Sequence, residues 1–137
     1  KAVETGYLPL TGMTEVTNDT SNTIFGTTFG YTLNGDSQAS APTYVKVGDE
    51  LKVTLTVQAQ TNMNGAGTDA SLTATGATEA SYSLANEADL APNFAGGTLS
   101  FSPAASANLE SGDTITFTFS IGNVASFTPA VSYTAAS

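Results

Sequence analysis

Gly112-Asp113-Thr114-Ile115-Thr116-Phe117-Thr118-Phe119-Ser120-Ile121 decides the fold of this chain. A Gly-Asp turn leads into strict alternation. Ile115, Phe117, Phe119 and Ile121 take one parity; Thr114, Thr116, Thr118 and Ser120 take the other. Successive side chains of a strand point to opposite faces, so this run reads as a strand with one buried and one wet face. Gly48-Asp49-Glu50-Leu51-Lys52-Val53-Thr54-Leu55-Thr56-Val57 says nearly the same thing earlier in the chain. There Leu51, Val53, Leu55 and Val57 face inward, and Lys52, Thr54 and Thr56 face out. These two segments are expected to be the core strands, and truncating inward Phe117 or Phe119 to Ala should cost about 3–5 kcal/mol.

Weaker strand signals surround them. Residues 24–33 read as a strand with Phe29, Tyr31 and Leu33 on one face, stopped by the turn signal Asn34-Gly35-Asp36. Residues 44–47, 71–75, 81–84, 98–102 and 127–134 read as further strands. Residues 62–67 read as a loop, 86–97 as a long connection, and 103–111 as a small-residue loop or one helical turn. No stretch shows a helical period. Many short strands with turn signals between them predict an all-β fold, an antiparallel β-sandwich. The expected division is an N-terminal extended segment, 1–23, before a sandwich at 24–137.

Composition narrows the function. A chain of 137 residues is one domain's worth. Charged residues make up 11%, well under the roughly 25% usual for soluble domains, with Thr, Ser, Ala, Gly and Asn filling the gap. The net charge is −9, with three cations, Lys1, Lys46 and Lys52, and no Arg. Nucleic-acid binding and polybasic attachment to lipid both need a basic surface and are set aside. The absence of His removes the usual general base and the commonest transition-metal ligand. There is no Cys to cross-link and no Trp to make an indole platform for sugars. No run nears the roughly 18 apolar residues of a membrane span. A chain opening on Lys1 fits a processed secreted protein as well as a fragment.

The Gly48-Asp49 turn with its strand through Val57, the Leu109-Glu110-Ser111-Gly112-Asp113 turn with its strand through Phe119, and the closing Ala130-Val131-Ser132-Tyr133-Thr134 together resemble a known module. It is the immunoglobulin-like conserved repeat domain of bacterial and archaeal cell-surface proteins, matched over about residues 43–136. The resemblance implies an immunoglobulin-like sandwich, an extracellular, cell-surface location and a structural or adhesive role. It brings no catalytic residues. Residues 1–42 lie outside it.

In the N-terminal segment Leu8, Leu10, Gly12, Thr14 and Val16 share one parity, and Pro9, Thr11, Met13 and Glu15 share the other. Extended, it could lay Leu8, Leu10 and Val16 in a groove, with Gly12 passing a tight spot. Adding a strand to another subunit's sheet is one way to polymerise. The domain's own first strand and a disordered linker are the other two readings. Pro9 lacks an N–H and suits an edge or a strand's start. Leu8-Pro9-Leu10-Thr11-Gly12 also matches the sortase sorting pentapeptide, but without the apolar span and basic tail that follow it, and is read as coincidence.

Asn18-Asp19-Thr20 fits the N-glycosylation pattern, making a glycan at Asn18 a candidate modification. Asp36, Asp49, Glu50, Asp69, Glu87, Asp89 and Asp113 recur at turns, which Asp favours for backbone reasons. They permit calcium, although no loop has the dense acidic spacing of a calcium loop. Lys46 and Lys52 take outward parities, against a buried Lys–Asn isopeptide bond. No Ser or Thr has a base to activate it, so no catalytic residue or cofactor-binding residue is assigned.

The expected function is a structural subunit of an extracellular filament, pilus or surface layer. It would be a homopolymer formed as Leu8, Leu10, Gly12 and Val16 enter a neighbouring copy. The alternative is a monomeric extracellular adhesion or carbohydrate-binding module, using Tyr side chains and loop carboxylates with calcium. A third reading is the head of a type IV-like pilin or archaellin.

Overall fold

The computed structural model describes residues 7–123 and 125–137; residues 1–6, Lys1 among them, and Val124 lie outside the described residues. In chain order the strands are β1 (Tyr7–Pro9), β2 (Gly30–Leu33), β3 (Asp36–Gln38), β4 (Tyr44–Lys46), β5 (Glu50–Thr56), β6 (Thr61–Asn62), β7 (Ser71–Ala74) and β8 (Glu79–Ser83). A short helix, the one helix among the described residues, α1 (Glu87–Leu90), precedes β9 (Asn93–Ala95), β10 (Thr98–Ser100), β11 (Asn108–Leu109), β12 (Thr114–Ser120) and β13 (Val131–Thr134).

Two antiparallel sheets make the body. One has the order β3-β2-β5-β12-β8, the other β13-β7-β10-β9. The two alternating segments are neighbours at the centre of the larger sheet: Ile115 stands opposite Leu55, Phe117 opposite Val53 and Phe119 opposite Leu51. One inward row of that sheet runs Tyr31, Val53, Phe117, Ala80. Tyr133, Leu72, Leu99 and Phe94 make a matching row in the smaller sheet. The Phe94 and Phe117 rings meet across the sandwich with centroids 6.4 Å apart. Both sheets feed one core, in which Leu51, Val53, Leu55, Ile115, Phe117, Phe119, Leu72 and Leu99 are fully buried. Hydroxyls line the outward rows; Thr54 and Thr116 bond each other at 2.7 Å.

The echo in the sequence is also an echo in structure. Gly48 and Gly112 have φ of 94° and 97°, a left-handed conformation that glycine adopts without penalty. In each turn the following Asp folds back on the residue three before it. Asp49 accepts the Lys46 N–H at 2.8 Å, and Asp113 accepts the Glu110 N–H at 2.9 Å. Both core strands are thus launched by the same locally determined turn.

Several segments differ from the expectation. Residues 24–29 are not strand; only Gly30–Leu33 is, and of 127–134 only Val131–Thr134 is. At the start of 24–29 the buried Asp19 carboxylate accepts the N–H groups of Thr23, Ile24 and Phe25 at 3.0–3.1 Å, and Gly26 then turns to a φ of 68°. The connection 86–97 holds α1, anchored by buried Leu90, and β9. Within 103–111, Asn108–Leu109 pairs with β6 as a two-residue ribbon.

Candidate functional site

Residues 7–17 form an arm lying between two parts of the body. On one side β1 pairs antiparallel with β4, with Tyr7 opposite Lys46, Leu8 opposite Val45 and Pro9 opposite Tyr44. The Leu10 N–H extends this side to the Thr43 carbonyl at 3.0 Å. On the other side the arm runs parallel to residues 127–133. The Pro9 carbonyl accepts the Phe127 N–H at 3.1 Å, and the Thr11 N–H donates to the Phe127 carbonyl. Thr17 then joins the open edge of β13: its N–H donates to Val131 at 3.0 Å and its carbonyl accepts from Tyr133 at 2.9 Å. Pro9 ends β1, and its missing N–H costs no ladder bond.

The arm's side chains enter the common core. Leu8, Met13 and Val16 are buried, and Leu10 is half-buried against the core. The core therefore crosses the boundary drawn at residue 23. One inward position differs from the expected parity, since Met13 points in with Leu8 and Val16. The segment is not one continuous strand; β1 stops at Pro9 and the chain bends at Glu15. A side chain at Gly12 would put a Cβ 2.7 Å from the Ala41 Cβ, so this is the tight spot. Just beyond it, the Tyr31 hydroxyl donates to the Met13 carbonyl at 2.8 Å and pins the arm ahead of the bend.

After the arm comes a tight loop. Asn18 and Asn22 have φ of 73° and 51°, and Asp19 holds the following backbone as described above. Burial, and next to it the Asp19 carboxylate, pushes the Tyr133 phenol above its ordinary range. Burial also pushes Tyr31 up. Asp19 carries no distinctive sequence signal; its triplet is legible only as a glycosylation pattern. Asn18 itself is exposed, and its amide donates to Ser132 Oγ at 3.0 Å.

The turn acids fold onto nearby backbone. Asp49 also accepts the Asn34 amide, and Asp113 the Ala85 N–H, both at 3.0 Å. Among the described residues no three His, Cys, Asp or Glu side chains gather as a metal group. Lys52 is half-buried and sits 3.9 Å from Glu50, and Lys46 lies on the outside with its ammonium 5.9 Å from the Tyr7 ring centre. Tyr7 and Tyr44, each 40% exposed, sit with Lys46 on the outer face of the β1–β4 ribbon. No described helix is long and apolar enough to cross a membrane.

Comparison with protein-family models, with curated proteins and with solved structures finds no match to this chain.

Proposed function

We propose that this chain is a structural subunit of an extracellular filament, pilus or surface layer, and that copies join by exchanging residues 7–17. The observation that carries the reading is the double-sided insertion of the arm. Main-chain bonds hold it on both flanks, and Leu8, Met13 and Val16 plug one core. Main-chain pairing is indifferent to which copy supplies the strand, so an arm from a neighbour makes the same contacts. The short loop 18–22 is the hinge. A head-to-tail exchange does not close on itself and gives an open chain of copies. The resemblance of residues 43–136 to a cell-surface repeat supports the location, and exposed Asn18 suits a glycan that would replace its bond to Ser132.

The arm carries core residues, so deleting it would confound loss of folding with loss of assembly. A disulfide reporter avoids this in a chain that has no Cys of its own. Tyr7→Cys with Lys46→Cys places two thiols at directly opposed strand positions. Oxidised at assembly concentration, the pair should give a covalent ladder on a non-reducing gel. A monomer band alone at every concentration, with the thiols fully consumed, would sink the exchange reading.

A second reading has its own observation. The exposed Tyr7 and Tyr44 beside Lys46 suit an adhesion or carbohydrate-binding face, with calcium an optional partner through the loop acids. Changing both tyrosines to Ser should abolish glycan-array binding if that reading holds and leave assembly intact.

A further inference from the structure

At one end of the sandwich, residues 22–28 pass over the end of β5 and the turn leading into β12. Between them is a cavity of about 570 Å³, within the range typical of small-molecule sites. We infer that this cavity binds a neutral, hydroxyl-rich ligand the size of a sugar ring.

Three observations point to that chemistry. First, no charged side chain lines the cavity; its polar lining is Asn22, Thr27, Thr28, Thr56, Gln58 and Ser111. Neither a metal ion nor an anion finds a counter-charge there. Second, the apolar floor is Phe25 and Val57, each only 1% exposed, so no aromatic face is open for stacking a flat base. Third, the hydroxyls of Thr27, Thr28, Thr56 and Ser111 are exposed and make no hydrogen bond to the protein among the described residues, so they are free to bond a ligand in place of water.

The cavity wall is also held in place. Gln58 donates its side-chain amide to the Asn22 carbonyl and its backbone N–H to the Ile24 carbonyl. Gly26 packs against the Gln58 side chain with a φ of 68°, a left-handed conformation that favours glycine. A ligand hydroxyl would therefore meet fixed groups rather than a mobile loop. The inference uses none of residues 7–17 and does not rest on arm exchange. It also places a sugar away from Tyr7 and Tyr44.

The test is an amide NMR titration of the ¹⁵N-labelled chain with glucose, galactose, mannose and N-acetylglucosamine, and with glucuronate as a charged ring of the same size. At least one neutral sugar should give saturable shifts confined to residues 22–28, 56–58 and 111–112. A site of this kind should bind with a Kd on the order of 1–10 mM. Glucuronate should give none. Thr56→Val with Ser111→Ala removes two hydroxyls and should weaken binding about tenfold, with the rest of the spectrum unchanged as proof of folding. No saturable shift from any neutral sugar would overturn the inference, as would shifts centred on Tyr7 and Tyr44 or shifts the double variant leaves untouched.

Discussion

Strands β5 and β12 and the arm of residues 7–17 contribute to the same core by different means. The paired strands are seven residues each, alternate strictly, and have strand neighbours on both sides. The arm pairs through three residues of β1, bends at Glu15, and touches β13 only at Thr17. The central strands are secured by dense apolar burial; the arm is secured by a handful of main-chain bonds, three buried side chains and one phenol. An element held that way is the part the proposed exchange would move, whereas a central strand cannot be removed without dissolving the core.

The largest test of this contrast is Phe117→Ala. It should destabilise the whole domain by about 3–5 kcal/mol in urea unfolding, with every probe moving together. Asp19→Ala strikes the junction of the two regions. Three backbone donors would lose their acceptor, at about 1 kcal/mol or more each, for a loss of about 3 kcal/mol. Amide exchange at Thr23, Ile24 and Phe25 should rise most. Uniform exchange across the chain would mean that Asp19 does not hold the hinge.

Gly12→Ala should act on the arm alone. Ala41 must give way to a Cβ at 2.7 Å, and overpacking of this kind costs about 1–3 kcal/mol. Hydrogen exchange should quicken at Leu10, Thr11 and Thr17 while β5 and β12 keep their protection. Equal loss in both regions would erase the distinction between them.

The smallest effect is alkaline. Tyr31 holds the arm at the Met13 carbonyl, and Tyr133 bonds Thr17 through its backbone. Burial pushes both phenols up, with the Asp19 carboxylate adding to the effect at Tyr133. The folded state therefore favours the neutral phenol. Their contribution is fully present below the ordinary tyrosine value near 10 and is lost as pH rises through the raised folded values. Stability should decline above about pH 10, first at the arm. Tyr31→Phe should cost about 1 kcal/mol at neutral pH and remove its own part of the alkaline decline. An unchanged alkaline limb in Tyr31→Phe would show that Tyr31 titrates without consequence.

Legibility followed the same division. The inward residues of β5 and β12 were readable because alternation is a property of neighbouring residues. The Gly-Asp turns were readable because each Asp bonds a backbone group only three residues back. Met13 departs from the parity of Leu8 and Val16 because the arm is not an extended strand between them and bends at Glu15. Residues 24–29 depart from a strand because Asp19, outside the segment, takes the N–H groups of Ile24 and Phe25 and Gly26 turns to a positive φ, neither of which the local composition reveals. The cavity drew on Asn22, Gln58 and Ser111, residues with no shared motif that lie together only after folding.

By itself the sequence determined the all-β class, the inward faces of the two central strands and the turns that launch them, all set by local periodicity and backbone preference. Tertiary structure alone decided where the arm lies, what Asp19 does and which hydroxyls meet at one cavity. The partners of Thr17 are Val131 and Tyr133, more than a hundred residues away, and no local pattern records a contact made only when the two ends of the chain come together.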